Sequence, residues 1–228
     1  MYLNNVIELR DINKYYFMKS MKLHALKDIN IDIPQGEFLM IMGKSGSGKT
    51  TLMNILGFLD RFDSGTYTFN GKDVTNLSEN EKSELRNAYI GFIFQQFHLI
   101  ESLTIGQNVE LPLLYKGNVS IKERNSLVEK YLDIVGLLDK KNRKPSELSG
   151  GQQQRIAIAR ALINDPYVIF ADEPTGALDS ATGTEIMELL TKLNKENKTI
   201  IMVTHDEDLK KYASKIIHIK DGLVAEVN

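Results

Sequence analysis

One octapeptide constrains this chain more than any other segment: Gly43-Lys44-Ser45-Gly46-Ser47-Gly48-Lys49-Thr50. The apolar run Glu37 to Met42 leads into it, and a helical pattern, Thr50 to Leu59, follows. A strand that turns through glycines into a helix start leaves backbone N–H groups without partners at the positive end of the helix dipole. Glycines at 43, 46 and 48 let that backbone curl around an anion, with Ser45 and Ser47 between them. Lys44 occupies an early loop position where backbone geometry matters more than side chain. Lys49 suits the β- and γ-phosphates of a nucleotide, and the Thr50 hydroxyl suits Mg2+. Thr51 adds a contact near an α-phosphate.

The rest of the chain alternates strand-like and helical patterns, which implies a mainly parallel sheet. Val6 to Leu9 and the alternating Ile29-Asn30-Ile31-Asp32-Ile33 read as antiparallel strands, half-buried in the second case. Gly65 to Asn70 is a further strand, closed by an Asn70-Gly71 turn. From about Thr104 to Asp165 the pattern is helical. Ile121 to Val135 puts Leu127, Val128, Tyr131, Leu132 and Val135 on one face, and Gly136 ends it. Asp139 to Lys144 reads as a solvated loop. Tyr167 to Ala171 and Thr199 to Thr204 are buried strands flanking a helix, Gly183 to Leu193. A hairpin with an Asp221-Gly222 turn closes the chain.

Composition excludes several classes. There are no cysteines, so disulfides and thiolate metal sites are absent. With 28 basic against 30 acidic side chains, nothing marks nucleic acid or an anionic membrane surface as the main partner. No apolar run approaches the ~20 residues of a membrane-spanning helix, and Met1 to Arg10 lacks the features of a signal peptide. The expected location is cytoplasmic, so any membrane-spanning part belongs to another chain.

The strand Tyr167 to Ala171 runs into Asp172 and Glu173. Paired acids at the end of a buried strand do not serve stability, since uncompensated buried charge is costly. Asp172 can orient Mg2+ through bound water, and Glu173 can polarise an attacking water as general base. Between the phosphate loop and this strand lies Leu148-Ser149-Gly150-Gly151-Gln152. Together these motifs, across nearly the whole chain, resemble the nucleotide-binding subunit of an ATP-binding-cassette (ABC) transporter.

That resemblance implies an α/β fold of the P-loop NTPase (RecA-like) type: a parallel-sheet core, an N-terminal antiparallel β subdomain and an inserted α-helical subdomain. It implies a single cassette over 1–228, with core and β subdomain at 1–96 and 166–228 and the helical subdomain at about 97–165. In this family two subunits pair head to tail, and the signature of one caps the ATP held by the other's phosphate loop. Ser149 would then bond the γ-phosphate across the interface. Gly150 and Gly151 would allow close approach, and the helix from about Gln152 to Ile163 would present its positive end. Tyr16 resembles the aromatic that stacks on adenine, with Tyr15 as the alternative. Gln95 resembles the glutamine that senses Mg2+ and the γ-phosphate, with Gln96 as runner-up. Gly176-Ala177-Leu178-Asp179 resembles the loop linking the two sites, and His205 the switch histidine. Lys44 departs from the proline many relatives carry, and Gly176 from their serine, which removes a hydroxyl contact.

Wider wording is similar to the MacB/LolD-type ATPases: Ile90 to Phe97, Asn108 to Leu113 and Asp172 to Asp179. These work with FtsX-like permeases in export of, or resistance to, antimicrobial peptides or bacteriocins, in macrolide efflux or in lipoprotein release. The resemblance therefore implies ATP and Mg2+ as ligands, a second copy and a separate permease as partners, and a place on the inner face of the membrane. A lipoprotein-release or cell-division ATPase is the alternative. A soluble P-loop kinase is the rival of a different class, but it has no use for Leu148 to Gln152. A non-transport cassette for DNA repair or translation would usually carry coiled-coil insertions or two cassettes, and this chain has neither.

Overall fold

The computed structural model describes residues 5–18 and 21–227. In chain order the elements are β1 (Asn5–Met18), β2 (Met21–Pro34), β3 (Phe38–Met42), α1 (Lys49–Leu56), β4 (Ser64–Phe69), β5 (Lys72–Asp73), α2 (Glu79–Tyr89), β6 (Ile90–Ile93), α3 (Ile105–Lys116), α4 (Ile121–Ile134), α5 (Gly150–Leu162), β7 (Val168–Asp172), α6 (Ser180–Lys195), β8 (Thr199–Val203), β9 (Lys215–Lys220) and β10 (Leu223–Val227). They form two compact units, Met1–Ser83 with Asn194–Asn228, and Glu84–Leu193.

The first unit holds an antiparallel sheet in the order β2-β1-β4-β5. In β2 the isoleucines at 29, 31 and 33 are buried while Asn30 and Asp32 face solvent, the alternation of a sheet with one wet face. β3 lies between β8 and β9 and runs parallel to both, with β10 folded back antiparallel on β9. Every residue of β3 and β8 is buried. That is why both read as unbroken apolar runs rather than alternating ones. Tyr67 is buried beside Phe58 and donates its hydroxyl to the Leu56 carbonyl at 2.7 Å. Burial pushes its phenol well above the ordinary value. The bond caps the end of α1, which stops three residues before the expected Leu59. Gly57 closes the helix there, and Phe58 takes a left-handed backbone with φ 57°.

In the second unit β6 and β7 pair in parallel. α4 buries Val128, Tyr131 and Leu132 and ends before Gly136, whose φ is 71°. The segment after it is more than a solvated loop. The carbonyls of Lys141 and Arg143 accept from the N–H groups of Gly106 and Ile105, which α3 itself leaves unpaired. The remaining start of α3 is closed by a capping box between Thr104 and Gln107.

α5 approaches β6 closely enough that a Cβ on Gly91 would sit 2.4 Å from the Ala161 carbonyl oxygen. The oxygen belongs to backbone and a Cβ is fixed rigidly to its Cα, so the clash is relieved only by moving helix or strand. Gly91→Ala is therefore expected to lower stability by about 1–3 kcal/mol. Denaturant unfolding measures it, and an unchanged midpoint would show that α5 can retreat freely.

Candidate nucleotide-binding site

In the first unit β3 delivers the chain into the phosphate loop, and the three loop glycines adopt positive φ: 150° at Gly43, 77° at Gly46 and 113° at Gly48. Two are also pressed by neighbours. A Cβ on Gly43 would lie 2.2 Å from the Ile219 carbonyl, and one on Gly48 would lie 2.8 Å from the Ala25 carbonyl. Gly46 has open space around it, so only its backbone angle calls for glycine. Gly48 is the N-cap of α1 and offers no side-chain acceptor. The first amides of α1 are thus left for an external anion.

Lys49 reaches back over the loop and donates to the carbonyls of Gly43 at 2.7 Å and Lys44 at 2.9 Å. Ser47 N–H also bonds the Lys44 carbonyl. Position 44 enters these contacts through its carbonyl. Beside the loop a cleft of about 470 Å³ is lined by Tyr16, Leu23, His24, Ala25 and Lys27, by Ser45, Gly46 and Gly48 to Thr51, and by Asp221 and Gly222. The phosphate loop, Lys49 and Thr50 share that lining with the Tyr16 ring. That donor set fits a nucleoside triphosphate with its Mg2+ ion.

Tyr16, rather than Tyr15, lines the cleft. Its hydroxyl donates to Asp60 at 2.7 Å, and Lys14 donates to the other Asp60 oxygen at 2.8 Å. Burial and then the Asp60 bond raise the Tyr16 phenol above its ordinary value. Burial alone would raise Asp60, but the bonds from Lys14 and Tyr16 outweigh it and hold that carboxyl low. The ring is anchored at its far edge. Tyr15 instead stacks on His24, with centroids 4.1 Å apart.

Asp221 and Gly222 had no role in the sequence beyond a hairpin turn. Here Gly222 N–H bonds the Ser47 carbonyl at 2.9 Å, and the Gly222 carbonyl accepts from Lys27 N–H at 2.8 Å. The β9–β10 turn therefore buttresses the phosphate loop. A register between β9 and β3 could have flagged it, but two strands so far apart in sequence carry no local signal of pairing. His205 is exposed, two residues past β8, and Ile41 pairs with Val203. The histidine thus emerges at the same sheet end as the phosphate loop.

The second unit carries Asp172, Glu173, Gln95, Asp179 and Ser149 to Gln152. Glu173 has a left-handed backbone with φ 45° and is followed by a turn in which Gly176 N–H bonds its carbonyl at 3.0 Å. A Cβ on Gly176 would stand 2.9 Å from Gln95 Nε2 and 3.5 Å from the Glu173 Cβ. Glycine at 176 does more than remove a hydroxyl: it lets the Gln95 amide pass beside the acidic turn. Asp179 caps the start of α6, accepting from Thr182 N–H at 3.0 Å and from the Thr182 hydroxyl at 2.7 Å. Those two bonds, the backbone one first, hold its carboxyl below the ordinary range. Ser149 is the N-cap of α5, in a reciprocal capping box with Gln152. α5 thus begins at Gly150 rather than near Gln152, and Gly150 and Gly151 form its first turn.

Residues 26–176 match the family described as "ABC transporter". This chain belongs to that family. It is 50% identical over 222 residues to an uncharacterised ABC transporter ATP-binding protein of Methanocaldococcus jannaschii, covering 97% of this chain and 99% of that protein. It is 48% identical to the macrolide export ATP-binding/permease protein MacB of Mannheimia succiniciproducens, covering 97% of this chain but 34% of MacB. The chain thus spans about a third of the length of the MacB relatives it matches. The solved ATP-binding cassette MJ0796, a dimer in a post-hydrolysis state with ADP and Pi, superposes with a TM-score of 0.89 at 46% identity, covering 97% of each chain. The ABC ATPase cassette is a P-loop NTPase fold, and its MacB/LolD-type affinity is shown by these likenesses. No helix among the described residues is long and apolar enough to cross a membrane.

Lys49→Ala removes the ammonium from the cleft and two bonds from the loop. Nucleotide affinity should fall by about tenfold or more, as loss of a charged contact implies. Fluorescent-nucleotide titration reads this, and an unchanged isotherm would contradict the cleft as the binding site.

Proposed function

We propose that this chain is the ATP-hydrolysing subunit of an ABC exporter, working as a head-to-tail pair on a separate MacB/FtsX-like permease. The observation that carries the reading is the cleft beside Gly43 to Thr51, in a chain nearly half identical to a cassette solved as a dimer with ADP and Pi. The loop amides from Gly43 to Thr51 and Lys49 bind the phosphates, and Tyr16 stacks on the base. Thr50, Gln95 and Asp172 would hold Mg2+, directly or through water, and the ion would supply positive charge to the phosphates. Glu173 takes a proton from the attacking water, and His205 steadies the γ-phosphate. Ser149, Gly150, Gly151 and Gln152 of one copy close over the phosphate loop of the other, and Asp179 links the two sites. Positioning and charge stabilisation account for the catalysis, as phosphoryl transfer requires.

ATP hydrolysis would take place in the cytoplasm. The pair would sit on the inner face of the membrane, gripped by the permease near Phe97 to Leu99. For cargo we infer an antimicrobial peptide or bacteriocin; the likeness to the MacB macrolide exporters supports export rather than that particular cargo.

Glu173→Gln should keep MgATP affinity while lowering kcat by about 100-fold or more, the usual contribution of a general base. It should also elute as a dimer with ATP in size-exclusion chromatography. A variant that stays monomeric with ATP, or that turns over normally, would overturn the clamp. Deleting the gene should raise sensitivity to antimicrobial peptides or bacteriocins, read as a lowered inhibitory concentration; unaltered sensitivity across a peptide panel would remove the cargo assignment.

A further inference from the structure

Two of the loops just described are joined by a single side-chain amide. Gln154 lies one turn into α5 and is 0% exposed. Its Nε2 donates to the Pro174 carbonyl at 2.6 Å and to the Phe94 carbonyl at 3.4 Å. Pro174 directly follows Glu173, and Phe94 directly precedes Gln95. The Oε1 of the same amide is buried with no hydrogen-bond partner among the described residues. A buried amide with an unsatisfied acceptor is a poor choice for stability alone, because that oxygen loses its water and gains nothing.

What the amide does supply is a fixed relation between two carbonyls. Glu173 needs such support. Left-handed backbone is disfavoured for any residue with a Cβ, and a following proline restricts it further. A conformation of this kind persists only where the surroundings hold it. The side chains that depend on these two loops are already neighbours, since Gln95 Nε2 and the Glu173 Cβ both flank Gly176.

We infer that Gln154 is a positioning residue for hydrolysis: by holding the Pro174 and Phe94 carbonyls on one amide, it sets the Glu173 carboxylate and the Gln95 side chain in fixed relation and makes both loops follow α5. The inference rests on the reading of Glu173 as the base. Gln154 is fully buried and, among the described residues, its amide bonds only backbone carbonyls of the two loops, so it acts through those backbones.

Gln154→Met keeps the length and volume of the side chain but has no donor. In the full chain it should leave KM for ATP within about threefold of native and lower kcat by about tenfold or more, the signature of misplaced catalytic groups rather than lost binding. Gln154→Asn keeps the amide one methylene shorter, reaches at most one carbonyl and should give an intermediate kcat. It decides the question if the methionine variant does not fold. Activity is expressed per folded molecule, from a thermal melt in the same buffer. Native kcat in a folded variant, or a loss matched wholly by unfolded protein or by raised KM, overturns the inference. Glu173→Gln is assayed alongside. If it hydrolyses ATP normally, the base assignment has failed; if it is inactive while both Gln154 variants run at native rate, only the positioning role has failed.

Discussion

Everything that this fold offers a nucleotide depends on keeping a short row of amides unpaired. α1 starts on Gly48, which caps nothing, and the glycines before it leave no side chain to fill the gap. Unpaired backbone donors at a helix start would ordinarily be closed by a capping hydroxyl or carboxylate, and α3, α4 and α5 each have one. α1 alone among these is left open. The loop is held in that open form from outside: β3 is buried between two parallel strands, and the β9–β10 turn and Ala25 press on it through backbone atoms. Rigid support behind and unsatisfied donors in front are what pre-organise an anion site, since the ordering cost is met when the chain folds.

The parts that were legible in the sequence are those whose physics is local. Unbroken apolar runs became β3 and β8, the alternating isoleucines became one face of β2, and Gly136 stopped α4 where expected. What stayed hidden depends on pairing across long stretches of chain. Nothing near Gly222 says that its amide will hold Ser47, and nothing near Gln154 says that its side chain will meet residues sixty positions before and twenty after. Helix ends depart from the sequence pattern for a related reason. Gly57 and the Tyr67 hydroxyl close α1 early, while the Ser149–Gln152 box starts α5 early. Each limit is set by a bond the periodicity cannot see.

The start of α5 shows how far packing explains a glycine and where it stops. A Cβ on Gly151 would lie 2.2 Å from the Thr182 Cγ2, so α6 alone accounts for that residue. A Cβ on Gly150 would meet the Leu178 and Phe97 side chains at 3.5 and 3.6 Å, ordinary contact distances, and its backbone angle is not in the left-handed region. Nothing within this unit requires glycine there, and alanine would form a better first turn. Ser149 poses the same question in another form. Its capping bond would be supplied equally well by aspartate or asparagine, and aspartate would add a favourable charge at the helix start. A neutral hydroxyl and a bare backbone at 149 and 150 give up helix stability for an approachable, uncharged surface at the positive end of α5. That choice is intelligible if something anionic has to come close, and it is the physical reason to look for the γ-phosphate of a second copy's nucleotide at this end of the helix.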